Sequence, residues 1–164
     1  MELTELDRRI AQDLWKRKMR PDDGILLGAG AFVSLSLRED SRTNQLEPIF
    51  GNLQSISHAM GVKEWNDSDV PESLGHLCEN GKRDPTPELN KCVWFGEGSW
   101  GGDGFVALVD AATGDLIWLL CSSEANPFDS VRVVDNNLIE AHSTLDTIWR
   151  IPIDSPLLLS IARC

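Results

Sequence analysis

The alternation of apolar and polar positions divides the chain into a helical start and a long remainder dominated by strand patterns. Leu3, Leu6, Ile10 and Leu14 recur at spacings of three and four between charged residues, which predicts an amphipathic helix over residues 2–19. Glu2, Glu5 and Asp7 come early and Lys16, Arg17, Lys18 and Arg20 late, the order that complements a helix dipole, and Pro21 ends the run. Residues 24–37 read as strand, because Val33, Leu35 and Leu37 alternate with Ser34 and Ser36. Within it, Gly28 and Gly30 mark a bulge or a close backbone crossing. Residues 38–48 are polar and read as loop. Leu53, Ile56 and Met60 share one side of a short helix within 52–60, with Gly61 placed for a left-handed cap. Pro71 in a first turn and Gly81 past an end predict a second short helix over 71–79. Prolines and charge make 82–91 a surface loop.

From Cys92 the pattern becomes strand, turn, strand. Residues 105–109 form an apolar run, 110–115 a turn of residues that tolerate tight backbone, and 116–121 a return strand. Val131 to Val134, the turn of Asp135, Asn136 and Asn137, and residues 138–142 make a second hairpin. Residues 147–151 give another strand, stopped by Pro152. Segments 113–118 and 144–149 agree at four of six positions, each a turn feeding a strand that presents a tryptophan, Trp118 or Trp149. Pro156 with Leu157, Leu158 and Ile161 predicts a closing helix. The expectation is one α+β domain spanning residues 1–164. Its centre is an antiparallel β-meander, mainly residues 92–153, packed with N-terminal, middle and C-terminal helices.

Charge changes this picture most. The net charge is −11, yet the first twenty residues carry six basic and four acidic groups, leaving nine basic against twenty-two acidic groups beyond them. Such a body repels nucleic acid and anionic membranes and attracts a basic partner over long range. Solubility alone is the competing account of the same charge. No apolar run approaches membrane-span length, and the acidic N-terminal residues lack the apolar core of a secretory signal, so a cytoplasmic address is expected. The four cysteines are widely spaced, without the close pairs of zinc ribbons or thioredoxin-like motifs; His76, Cys78 and Cys92 lack the paired spacing of a metal site.

The candidates for chemistry are few. Gly28 and Gly30 lack the third glycine, following helix and lysine of a nucleotide loop. Gly101, Gly102, Asp103 and Gly104 resemble calcium-binding glycine–aspartate repeats, but Val106 stands where those repeats need an aspartate, and no cofactor is implied. A hydrolase would have to draw on His142, with Cys121 and Asp146 as the grouping to test, although no nucleophile elbow is present. The most unusual stretch is the loop 96–104, where five glycines surround Trp100, with Glu97 and Asp103 beside it. Two readings of Trp100 stand open: an interface anchor on an acidic loop, or an inward side chain with glycines permitting a tight bend.

The block from Trp94 through the glycine loop to Asp110, followed by Thr113, Gly114, Asp115 and Trp118, resembles the central block of the SUKH superfamily. That resemblance covers about 25 residues and implies an α+β fold. It also implies a role met in many bacterial members, the immunity protein that neutralises a cognate toxin, often a nuclease. The charge argument converges on the same expectation, since a nuclease presents a basic cleft that a compact acidic protein can occupy. The expected protein is a non-catalytic, stoichiometric inhibitor whose partner is a toxin with a basic surface. Its expected partner-binding residues are Glu64, Trp65, Asp67, Asp69, Glu97, Trp100 and Asp103. A small-ligand or regulatory binding module is the alternative.

Overall fold

A computed structural model of the protein describes residues 1–66, 75–83, 89–98 and 101–164. The chain enters through α1 (Glu5–Lys16), then β1 (Met19–Arg20), β2 (Gly24–Leu27), β3 (Ala31–Asp40), β4 (Gln45–Phe50) and β5 (Gln54–Ser55). A short α2 (Ile56–Met60) follows, then β6 (Gly75–Arg83), β7 (Lys91–Gly98), β8 (Gly104–Asp110) and β9 (Leu116–Ser122). The last strands are β10 (Phe128–Val134), β11 (Leu138–Ser143), β12 (Thr147–Pro152) and β13 (Ser160–Arg163), with one 3-10 turn at Pro156–Leu158 before β13.

The sheet dominates, so the expected α+β class with three helices is corrected to a curled antiparallel half-barrel. Its strands run in the order β1-β6-β7-β8-β9-β2-β3-β4-β13-β12-β11-β10, with β5 beside β3. Strand β3 makes the bend. Its start pairs with β2 and β5, and its second half pairs with β4. The second wall then continues through one ladder pair, Leu46 opposite Ile161, into β13 and β12. The two walls curl until β10 packs against β6 and β7.

Apolar side chains from both walls fill the interior, including Val106, Leu108, Val131, Ile139 and Ile151. The repeated tryptophans meet this core from opposite sides of the curl. Trp118 is 1 % exposed and donates to the Ile153 carbonyl at 2.9 Å, whereas Trp149 is fully buried, donates to Thr147 Oγ1 at 3.1 Å and meets Phe128 edge-on. A second layer lies outside the first wall, where Ile10, Leu14 and Trp15 of α1 cover Leu26, Phe105, Ala107 and Leu119. Strand β8 is thereby buried on both faces, which is why its sequence is a continuous apolar run and not an alternation.

Helix α1 is shorter at both ends than its periodicity predicts. Thr4 and Asp7 form a capping box at its start, and Lys18 turns the chain in the left-handed region, φ 53°. Its docking depends on glycine. A Cβ on Gly30, where φ is 101°, would lie 2.4 Å from the Asp7 backbone. Gly28 and Gly30 therefore mark a close crossing, at the turn that splits the expected single strand 24–37 into the β2–β3 hairpin.

Four local expectations change. Residues 38–48 are not loop, because β3 runs on to Asp40 and pairs back with β4. In place of a helix over 71–79, the chain from Gly75 is β6, paired with β7. The closing helix is a 3-10 turn followed by β13, which pairs with β12. The middle helix narrows to Ile56–Met60, capped by Ser55 and by Gly61 at φ 67°. Among the described residues no helix is long and apolar enough to cross a membrane.

Candidate functional site

The strand ends around the glycine loop gather a group of charges that the sequence holds far apart. Leaving α1, the chain forms β1 against the start of β6, with Arg20 opposite Gly75. The Arg20 guanidinium lies between two carboxylates: Nη2 bonds Asp23, and Nε is 3.1 Å from Asp103 Oδ2. Nη1 donates to the Pro21 carbonyl at 2.9 Å. Asp23 in turn accepts from the Ser123 backbone N–H at 3.0 Å and from Ser123 Oγ at 2.5 Å. Three connections are thus fastened together at one end of the sheet: β1 to β2, β7 to β8, and β9 to β10.

The β7–β8 connection is held locally too. The Gly98 N–H donates to the Asp103 carbonyl at 3.1 Å, and the Gly101 N–H to the Gly98 carbonyl at 3.0 Å, with Gly101 at φ 70°. Glu97, next to the end of β7, is half-buried, and Asp22 beside Asp23 is exposed. Two carboxylates, Asp23 and Asp103, therefore flank one guanidinium, with Asp22 next to Asp23 in the chain and Glu97 opposite Gly104, the residue after Asp103. Lys16 lies in the last turn of α1 and Arg17 is its C-cap, a few residues before Arg20 in the chain.

The expected site residues separate on this geometry. Glu97 and Asp103 belong to the rim. Glu64 is exposed on the segment after α2. Trp65 is corrected: it is 3 % exposed, packs in the layer under α1, and donates from Nε1 to Asp13 Oδ2 at 3.0 Å. Its carbonyl accepts from Arg9 at 3.2 Å, so it buttresses the helix and presents no surface to a partner. Asp67, Asp69 and Trp100 lie outside the described residues. Sequence reasoning missed Arg20, Asp22, Asp23 and Ser123. The β2–β9 register, Gly24 opposite Cys121, brings them to the rim, and the only local signal is an acidic pair just before a strand.

The grouping of Cys121, His142 and Asp146 is not assembled. Cys121 is fully buried in the layer under α1, and burial above all pushes its thiol up to about 12, so it stays protonated at neutral pH. His142 lies on β11 in the other wall, on the face opposite the buried Ala141, paired with Ile148. Asp146 sits in the β11–β12 turn at φ 57°. Among the described residues no group of three or more His, Cys, Asp or Glu side chains is placed to hold a metal.

Fold and rim together define a curled antiparallel half-barrel, buttressed by one helix and carrying carboxylates at one end. Comparison with protein-family models, curated proteins and solved structures finds no match for this chain.

Proposed function

We propose that this protein is a non-catalytic, stoichiometric inhibitor that neutralises a cognate bacterial toxin with a basic surface, and that the carboxylate rim is the docking end. One observation supports the reading: Asp23 and Asp103 flank a single guanidinium, with Asp22 and Glu97 on the same strand ends, so the rim keeps a negative excess on a body of net charge −11. The Asp23–Arg20–Asp103 lock holds the strand ends in place, and Asp22 and Glu97 stand beside it. A rigid, charged rim accelerates encounter with a cationic cleft. A nuclease fits this chemistry best, because its substrate-binding cleft must attract phosphates.

The test is co-expression with the product of the adjacent reading frame, followed by stopped-flow association of the two purified proteins at rising salt. Rescue of growth is expected, with an association rate that falls as salt rises. Asp22→Lys combined with Glu97→Lys should slow association about tenfold or more and flatten the salt dependence, with the unfolding midpoint unchanged. Equal rates for wild type and variant would remove the rim from the interface. A neighbour whose expression harms no cell would remove the inhibitor reading.

A further inference from the structure

At the ends of β2 and β9 opposite the rim, the half-barrel opens into a cavity of about 560 Å³. The register sets the two apart: Gly24 pairs with Cys121 at the rim end, and Leu27 with Trp118 at the cavity end. Three segments wall the space, namely the β2–β3 turn, the start of β9, and the stretch from Ile153 to Leu158 after β12. The floor is Trp118, Ile153 and Pro156, all buried. The one polar atom of the Trp118 side chain is already spent on the Ile153 carbonyl, so the floor offers hydrocarbon alone. Half-buried Leu27, Ile117 and Leu157 form the sides. Leu158 stands at the lip, 73 % exposed, more than any other large apolar side chain among the described residues.

The polar side chains in the lining are Asp154 and Ser155, both exposed. Asp154 Oδ1 lies 3.1 Å from Lys91 Nζ, so its charge is matched, and Ser155 is exposed next to it. We propose that this cavity binds a small, uncharged, largely hydrocarbon ligand, such as a bicyclic aromatic or a medium-chain alcohol, with one hydrogen-bonding group at the Ser155 mouth. Its volume lies within the roughly 300–1,000 Å³ of small-molecule sites, and the mouth of a barrel is a common place for them. Chemistry selects the charge. An ion on this floor would be desolvated without a partner. An anionic head would face Asp154 and a protein of net charge −11, and a cationic head would compete with Lys91. Three converging segments over buried Trp118, Ile153 and Pro156 distinguish the space from a bare apolar face. This inference does not rest on the inhibitor reading.

N-phenyl-1-naphthylamine, which is neutral at pH 7 and brightens in apolar surroundings, is the probe. Titrated into the full chain, it should show saturable, one-to-one, blue-shifted emission. Leu157→Asp should weaken binding at least about tenfold, equivalent to about 1.4 kcal/mol. Leu145→Asp, an exposed change in the β11–β12 turn, should leave binding unchanged, with both unfolding midpoints recorded to confirm folding. The sulfonated probe 8-anilinonaphthalene-1-sulfonate should bind at least about tenfold more weakly than the neutral one. Absent or non-saturable emission, equal binding by the two variants, or equal affinity for both probes would overturn the proposal; the last result would leave a charge-indifferent apolar surface of the kind that takes a protein side chain.

Discussion

Asp7 shows how much one side chain can hold. It is 1 % exposed, and its carboxylate accepts from the Thr4 backbone at 2.9 Å, the Thr4 hydroxyl at 2.7 Å and the Ser57 backbone at 3.1 Å. Burial alone would raise its pKa, but the hydrogen bonds from Ser57 and Thr4 prevail and hold it at about 2, below the ordinary 3.8. The unfolded chain therefore takes up this proton first. The stabilisation is complete above pH 3.8 and is lost as the pH falls through about 2, an effect on the order of 2 kcal/mol. Urea unfolding across that window should show Asp7→Asn less stable than wild type at pH 6, with the gap closing toward pH 2. Trp65 gives a second expectation at this scale. Trp65→Ala should cost about 3–5 kcal/mol in urea unfolding, by emptying the space under α1, and leave the salt dependence of partner association unchanged. Such roles were half-legible. The early position of Asp7 predicts dipole complement, but nothing nearby announces Ser57 as its partner. Trp65 lies in a polar, acidic stretch, so only its Asp13 contact reveals an inward side chain.

Among the elements, those with an apolar signature were the readable ones. Strands β8, β9, β11 and β12 fall within two residues of their predicted bounds, and the turn at Asp135 and Asn136 has the left-handed φ values, 51° and 60°, that its residue types favour. The far half of β3 and β4 was illegible because that hairpin stands largely in water: most of its residues are exposed or half-buried, and backbone pairing with cross-strand ion pairs such as Arg38–Glu47 replaces an apolar stripe. For β6, the proline and glycine spacing imitated helix punctuation, and the partner strand β7 decided otherwise. The crossing of α1 over the β2–β3 turn was legible only as a glycine pair. Gln12 completes it, its amide bonding the Leu116 N–H and the carbonyls of Leu116 and Gly28 at 2.8–3.0 Å. Gly30→Ala should therefore destabilise the protein by more than about 1 kcal/mol, since left-handed strain adds to a clash with backbone, and thermal unfolding will measure it. A midpoint unchanged by this substitution would mean that α1 is free to shift.

For the molecule as a whole, the strength of attachment is uneven. The wall under α1 is covered on both sides, and the opposite wall has Glu140 between Arg132 and Arg150. Hydrogen bonds from Arg132 and then Arg150 lower the Glu140 pKa, so this cross-strand triad stays charged in mildly acidic solution. The fold places Arg132 and Arg150 on the second wall and the Asp23–Arg20–Asp103 group at the end of the first. The site was legible in part for the same reason, as Glu97 and Asp103 advertise themselves in the glycine loop while Asp22 and Asp23 depend on a pairing across the sheet. The narrowest join is the single pair between Leu46 and Ile161. It is the seam of the second wall: were it to open, β13 and the strands beyond it would part from β4 while the helical layer stayed shut. Hydrogen exchange should accordingly release the amides of β4 and β13 well before those of β8 and β9.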